Sequence, residues 1–125
     1  MTTDSLRSEL RLAIQAAQDK QAAALTLLDL AGLGAFTDHF LLCTGFSARQ
    51  VEAISDSIAT ALTNHGLRLA HREGSTGSEW VLLDFGGLVV HVFTERARLF
   101  YDLERLWRAA RRKDIPDPAP GAASA

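Results

Sequence analysis

Residues 80–93, "WVLLDFGGLVVHVF", decide the fold because they predict a β-hairpin with two different faces. A two-residue Gly86-Gly87 loop is typical of a type I′ or II′ hairpin and fixes the register of the two strands. In this register one face is entirely apolar and consists of Val81, Leu83, Phe85, Leu88, Val90 and Val92. The opposite face pairs Trp80 with Phe93, Leu82 with His91, and Asp84 with Val89. This mixture of aromatic and polar residues is typical neither of a buried core face nor of a solvent-exposed face. We therefore expect the second face to be partly covered by other elements or to bind a partner.

The segments before the hairpin predict further helices and strands. Apolar residues recur at helical spacing between residues 6 and 17, which predicts an amphipathic helix. Short apolar runs at 24–30 and 38–45 predict two strands. Ser47 and Gln50 form a capping box at the start of a helix that ends before Gly66. Residues 67–72 alternate like a strand. The sequence therefore predicts an α/β domain with a small mixed sheet of about five strands flanked by helices.

The segment after the hairpin is predicted to be helical. From an N-cap at Thr94, a stripe of Leu99, Leu103, Leu106 and Ala110 follows, although Asp102 could instead cap a second, separate short helix. The predicted order of elements is α-β-β-α-β-β-β-α. The end of the chain, "DIPDPAPGAASA", contains three prolines and many small residues, which bury too little apolar surface to fold. We therefore expect one domain over residues 1–113 and a disordered tail over 114–125.

Composition limits the classes of function. The 125 residues carry a formal net charge of −2, so no overall basic surface is available for nucleic acid and any RNA contact would have to be local. The single cysteine, Cys43, excludes a disulfide within the chain and is predicted to be buried and inert. The sequence shows no secretory signal and no apolar run long enough to span a membrane, so we expect a cytoplasmic protein.

Motifs for catalysis or metal binding are weak. The four histidines and Cys43 show no H-x-x-x-H or C-x-x-C spacing, so no metal site is predicted. A nucleotidyltransferase would use the Gly45-Phe46-Ser47 turn together with two carboxylates that hold Mg²⁺, but Asp84 stands alone on its strand. Neither Cys43 nor Ser47 lies in a nucleophile elbow that His91 could serve. The sequence therefore predicts no catalytic residue and no cofactor.

An aromatic and acidic composition instead favours a protein-binding patch. The mixed hairpin face is followed by Phe100, Tyr101, Glu104 and Trp107, and aromatic residues commonly anchor interfaces. The alternative is that the last helix packs over this face and the aromatic residues belong to the core. The sequence leaves both interpretations open at each position.

Four segments in this order resemble the ribosomal silencing factor family, also called RsfS or Iojap-like, over roughly residues 5–110. They are "LLDL", "TDHFLLCTGFSARQVEAISDSI", "EGSTGSEWVLLDFGGLVVHVF" and "ARLFYDLERLW". His39 and Phe85 stand where the family usually has tyrosine, and Ala48 stands in a usual Ser-Ser pair.

The resemblance implies a non-enzymatic factor that binds the large ribosomal subunit through its fourteenth ribosomal protein and blocks joining of the small subunit. It also implies a nucleotidyltransferase-like fold without the catalytic carboxylates, frequent homodimers and little or no direct RNA contact. The partner-facing residues that it implies are Trp80, Leu82, Asp84, Phe85, His91, Phe93, Tyr101, Asp102, Glu104 and Trp107. A weakly acidic patch would suit a basic ribosomal protein.

Two alternatives and one local hypothesis accompany this interpretation. The alternatives are a Mg²⁺-dependent nucleotidyltransferase-like enzyme and a module for dimerisation or RNA association. The hypothesis is that Asp84 and His91 form a hydrogen bond across the hairpin or bind the partner, because an isolated half-buried charge would be costly.

Overall fold

The computed structural model describes residues 3–117, with side chains described from residue 8 onward. Four helices and six strands follow one another along this part of the chain. They are α1 (Thr3–Asp19), β1 (Ala23–Asp29), β2 (His39–Gly45), α2 (Ala48–Asn64), β3 (His71–Glu73), β4 (Trp80–Asp84), β5 (Leu88–Thr94), α3 (Glu95–Tyr101), α4 (Leu103–Leu106) and β6 (Arg111–Asp114). The strands form one sheet in the order β3-β4-β5-β2-β1-β6, which confirms the predicted mixed α/β fold.

The β4-β5 hairpin has the predicted register. Trp80 pairs with Phe93, Leu82 with His91, and Asp84 with Val89. The Phe85 N–H donates to the Leu88 carbonyl across 2.8 Å, and Gly86 has a φ of +91°. A positive φ at the first of the two loop residues requires glycine and is typical of a type II′ turn.

One face of the sheet is packed against α1 and α2. β2 and β5 run parallel at the centre of the sheet, and α2 contacts β2, β4 and β5. The core on this face joins apolar residues of both helices to Leu41, Cys43, Leu83, Val90 and Val92. The predicted limits of α2 are confirmed, because the Gln50 N–H donates to Ser47 Oγ and Gly66 ends the helix with a φ of +102°.

The second face of the sheet is covered by shorter helices. Its buried cluster consists of Leu28, Leu30, Phe40, Leu42, Val89, Phe93 and Ala97. Partly buried residues from α4 and the segment that follows it pack against this cluster, including Leu103, Trp107 and Ala110. Two short helices of seven and four residues thus cover this face, whereas two 17-residue helices cover the other face.

The predicted single helix after Thr94 is wrong beyond residue 101. Thr94 does cap α3, since its Oγ1 accepts a hydrogen bond from the Ala97 N–H. Asp102 then adopts a left-handed conformation (φ 50°, ψ 52°), and a separate short helix begins after it, as the alternative prediction stated. The predicted apolar stripe therefore breaks up, and Leu99 and Leu106 are exposed.

The C-terminal part contains a sixth strand that the sequence did not predict. β6 pairs antiparallel with β1, where Asp114 lies opposite Thr26. The chain then continues past the predicted domain boundary at residue 113: the Ile115 N–H donates to the Leu25 carbonyl, and Ile115 packs against the core. Residues 118–125 of the predicted tail lie outside the described residues. β3 is also shorter and later than predicted, since residues 67–70 form no strand.

Candidate protein-binding surface

The mixed face of the hairpin divides into a buried strand and a half-exposed strand. On β5, His91 is 3% exposed and Phe93 is fully buried, because β5 lies inside the sheet between β4 and β2. On β4, Trp80, Leu82 and Asp84 are all half-buried, with only the three-residue strand β3 beyond them. The two predicted interpretations of this face therefore hold at different positions: β5 supplies core residues and β4 supplies surface residues.

The predicted hydrogen bond between Asp84 and His91 is not formed. Asp84 Oδ1 instead accepts a hydrogen bond from the Gly86 N–H across 2.8 Å, which stabilises the hairpin turn. His91 Nδ1 accepts a hydrogen bond from the Trp80 indole Nε1–H across 3.1 Å. This bond requires the neutral imidazole with its proton on Nε2. Burial lowers the pKa of His91 to about 4, so the ring remains an acceptor for Trp80 at neutral pH.

Aromatic rings extend from the buried layer to solvent. The Trp80 ring lies 4.5 Å from the Tyr101 ring and 5.7 Å from His91, and Tyr101 contacts Phe100 at 5.0 Å. Buried Phe40 connects to Trp107 at 6.0 Å and to Phe36 at 6.4 Å, both between ring centroids.

The outer members of this set form what we call the aromatic surface. Three of them are strongly exposed: Phe36 (74%), Phe100 (79%) and Tyr101 (51%). Half-buried residues on the same face complete it. The aromatic surface consists of Phe36, Trp80, Leu82, Phe100, Tyr101 and Trp107. Large exposed aromatic groups that rest on buried rings are typical of protein interfaces.

Glu104 is not a free carboxylate on this surface. Its Oε1 accepts a hydrogen bond from Arg98 Nε across 2.9 Å, and its Oε2 pairs with Arg112 Nη1 across 2.6 Å. The hydrogen bond from Arg98 holds the pKa of Glu104 below its usual value despite partial burial. Glu104 thus ties α3, α4 and β6 together, and its charge is already neutralised within the fold.

Arg98 is a key structural residue that sequence reasoning missed. It is 9% exposed and donates to the Ala24 carbonyl, Thr44 Oγ1 and Thr26 Oγ1 at 2.6–3.0 Å, in addition to Glu104. Its partners lie up to 74 positions away in the sequence, so no local pattern could have identified them.

The remaining predicted partner residues lie in different places. Asp102 is exposed, and its side chain does not cap α4. Phe85 is half-buried and packs against the core on the α1-α2 face. With Asp84 in the turn and Glu104 in ion pairs, the predicted acidic patch reduces to the exposed carboxylate of Asp102 and part of Asp84.

A second concave feature lies at the carboxyl ends of β2 and β5. This cleft of about 890 Å³ includes Phe46, Ser47, Thr94 and Leu99 among its lining residues. Its basic side chains are already engaged, since Arg96 pairs with Glu79 while Arg98 and Arg112 pair with Glu104. Within the described residues, no group of three or more His, Cys, Asp or Glu residues is arranged to hold a metal ion. Among the described residues that line the cleft, every cation is thus paired with a carboxylate, and none is free to bind a phosphate group.

Two further sequence predictions concern Cys43 and membranes. Cys43 is fully buried, as predicted, and burial raises the pKa of its thiol to about 12. Among the described residues, no helix has the length and apolar character needed to cross a membrane.

Comparison with known proteins identifies the family. The model of a family described as "Ribosomal silencing factor during starvation" matches residues 3–125. The ribosomal silencing factor RsfS of Bacillus subtilis is 38% identical over 109 residues, which are 87% of this chain and 92% of that protein. The chloroplastic protein Iojap of Zea mays is 32% identical over 102 residues, 82% of this chain and 44% of that longer protein.

Solved structures agree with the sequence comparison. A crystal structure of a Chromobacterium violaceum protein has a TM-score of 0.79 to this fold at 32% identity, covering 91% of this chain and 96% of that one. A crystal structure of a Bacillus halodurans protein has a TM-score of 0.74 at 34% identity, covering 88% and 98%. Sequence and fold thus agree over nearly the whole chain, and the chain belongs to the ribosomal silencing factor family.

Proposed function

We propose that this protein acts in the cytoplasm by binding the large ribosomal subunit through that subunit's fourteenth ribosomal protein. Bound there, it sterically blocks the small subunit from joining and so represses translation, for example under nutrient limitation. The protein makes and breaks no covalent bond in this role. Membership of the ribosomal silencing factor family supports the ribosome as the target.

The aromatic surface is the observation that carries the choice of a protein partner. Trp80 is fixed by its hydrogen bond to His91 and by contact with Tyr101, so its ring loses little freedom on binding. Tryptophan and tyrosine are enriched among the residues that contribute most of the binding energy at protein interfaces. The same surface would also suit a second copy of this chain, and the experiment below separates these partners.

Sedimentation of ribosomal subunits in a sucrose gradient tests the proposal. The protein is added to purified large subunits before small subunits are mixed in. We expect free subunits to persist, with the protein in the large-subunit fraction. Full reassociation of the subunits, with no protein in the large-subunit fraction, would contradict the proposal. If the protein then also forms a dimer in size-exclusion chromatography, self-association becomes the favoured role of the aromatic surface.

Two variants locate the interface in the same assay. Trp80→Ala removes an anchor from the aromatic surface and should let the subunits join. Phe46→Ala is the matched control, because Phe46 is 80% exposed but lines the cleft at the ends of β2 and β5. Phe46→Ala should block joining as well as the wild type does.

A further inference from the structure

His91 is a buried residue that is bonded to a half-exposed one. It is 3% exposed and lies on β5, inside the sheet, so a partner on the aromatic surface would not reach its ring. Its Nδ1 accepts the hydrogen bond from the Trp80 indole Nε1–H across 3.1 Å. Trp80 is half-buried and belongs to the aromatic surface. This bond therefore connects the core to the surface that we assign to the partner.

Packing alone does not explain a histidine at this position. The rings of Phe40 and Phe93 lie 4.6 and 6.3 Å from the His91 ring, between centroids. Because Nδ1 accepts from Trp80, the neutral ring carries its proton on Nε2, and among the described residues that N–H group has no acceptor. A buried N–H group without an acceptor destabilises a fold, whereas leucine would fill this space without a polar atom. What histidine adds over leucine here is the acceptor for Trp80.

The hydrogen bond selects one orientation of the Trp80 ring. An indole has a single polar atom, and here Nε1 lies on the buried side, against His91. The part of the ring that is left for a partner is therefore hydrocarbon. Tyr101 and Phe93 also contact this ring, with centroids 4.5 and 6.1 Å away. Such aromatic contacts depend little on which edge carries the nitrogen atom, whereas the hydrogen bond forms in one orientation only.

We propose that His91 is a positioning residue of the partner interface, which holds the Trp80 indole with its nitrogen inward and its hydrocarbon edge outward. This inference rests on the proposed function and changes the expected role of His91, from a residue that faces the partner to one that supports a partner contact. A ring held in its bound orientation loses less side-chain entropy on association. The partner should meet Trp80 with an apolar group rather than with a hydrogen-bond acceptor.

A purely structural role of His91 is the alternative. The bond joins the neighbouring strands β4 and β5, so its loss would weaken the hairpin. On that account His91 matters only for stability, and the ribosome affinity of each variant would follow its stability. The positioning role instead predicts that affinity follows the presence of an acceptor for Trp80.

Two substitutions of nearly equal shape separate these accounts. His91→Asn places an amide oxygen near the position of Nδ1 and keeps an acceptor, whereas His91→Leu removes it. Asparagine also buries an amide NH₂ group among apolar side chains, so His91→Asn should be the less stable of the two in urea denaturation. Affinity for purified large subunits should have the opposite order. It is measured by titration of protein that carries a fluorophore at its N-terminal amine.

The expected loss of affinity is moderate and depends on Trp80. His91→Leu should bind large subunits roughly 3- to 10-fold more weakly than the wild type, the effect of ordering one large side chain on binding. His91→Asn should recover most of this loss. In a Trp80→Ala background, His91→Leu should cause no further loss, because the residue through which it acts is absent. This comparison tests the inference even if His91→Asn does not fold.

A substitution on the opposite face of β5 is the matched control for stability. Val90 is fully buried, next to His91 in the sequence, and packs in the core on the α1-α2 face. Val90→Ala should lower the unfolding free energy and leave the affinity for large subunits unchanged. It shows whether loss of stability in β5 by itself weakens binding.

The indole signals of the free protein report the hydrogen bond directly. The chain contains two tryptophans, Trp80 and Trp107, so a ¹⁵N–¹H spectrum contains two indole N–H signals, which Trp107→Phe assigns. The indole proton of Trp80 should exchange slowly with solvent in the wild type and in His91→Asn. It should exchange faster in His91→Leu, because the hydrogen bond that protects it is lost.

The inference and the proposed function fail in different ways. Wild-type affinity of His91→Leu, with fast exchange of the Trp80 indole proton, would refute the positioning role and leave the proposed function intact. An equal loss of affinity in the Trp80→Ala background would show that His91 does not act through Trp80. Affinity that follows stability across all variants, Val90→Ala included, would leave His91 a structural role only. Wild-type protein that binds no large subunits would refute the proposed function as well.

Discussion

Replacing Glu104 by glutamine should destabilise the fold rather than remove a partner contact. The change keeps the shape of the side chain but removes the negative charge that faces Arg98 and Arg112. Arg98 would then keep its charge at a site that is 9% exposed, hydrogen-bonded only to neutral acceptors and with the Asp114 carboxylate as its remaining nearby negative charge. A buried charge without its counter-charge is costly.

The expected loss is about 2–3 kcal/mol of unfolding free energy. A hydrogen bond between charged groups contributes about 1.5–3 kcal/mol, which applies to the buried Arg98 contact. The pair with Arg112 adds less than about 1 kcal/mol, because the Arg112 side chain is 47% exposed and water screens the interaction. For a domain of this size the melting temperature should fall by roughly 10 °C.

The pH dependence gives a second signature of the same contact. Arg98 lowers the pKa of Glu104 in the folded state, so the stabilisation is fully present above the ordinary glutamate pKa near 4.5. It is lost as the pH falls through the lower folded pKa. The difference in stability between wild type and Glu104→Gln should therefore be constant at pH 5–7 and shrink below about pH 4.5.

Urea denaturation of both proteins and of Asp102→Asn measures these effects. Asp102→Asn is the matched control, because it removes a nearby exposed carboxylate. Asparagine also tolerates the left-handed backbone conformation of residue 102. It should change stability by less than about 0.5 kcal/mol. Equal stability of the two variants, with large-subunit binding lost only in Glu104→Gln, would refute the structural role and restore Glu104 as a partner contact.

Four further predictions follow from the same geometry. Trp80→Ala, if folded by circular dichroism, should weaken large-subunit binding by about 2 kcal/mol or more, roughly 30-fold in Kd measured by titration. Because the folded pKa of His91 lies near 4 and its ordinary value is 6.5, the wild type should lose about 2 kcal/mol more stability between pH 7 and pH 5 than His91→Phe does in urea denaturation. Cys43 should not react with a thiol reagent at pH 8 until the protein unfolds, as followed by absorbance. Gly74→Ala should lower the melting temperature, because its Cβ would lie 2.6 Å from the Trp80 carbonyl oxygen at a φ of +100°.

Local sequence patterns were sufficient for the hairpin and for α2. The Gly86-Gly87 loop fixed the register, and Ser47, Gln50 and Gly66 marked the limits of the helix, because turn and cap geometry depends on neighbouring residues. The alternation of side chains also assigned each hairpin residue to the correct face. It could not predict that His91 is buried while Trp80 is half-exposed, which depends on where α3 and α4 pack.

The C-terminal part could not be predicted because its structure depends on distant contacts. β6 has the sequence "RRKD", which lacks an apolar alternation, and it is a strand only because β1 provides a free edge. The helix breaks at Asp102, where Arg98 on one side and Glu104 on the other meet through side-chain contacts. Residues that looked like one amphipathic helix therefore became two short helices and a strand.

Hydroxyl-radical footprinting of the protein, free and bound to purified large subunits, tests the central claim most directly. We expect Trp80, Tyr101 and Trp107 to become protected from oxidation in the complex, while exposed Phe46 remains as reactive as in the free protein. Protection of Phe46 with unchanged oxidation of the aromatic surface would place the partner at the cleft at the carboxyl ends of β2 and β5. That result would contradict the interface proposed for this protein.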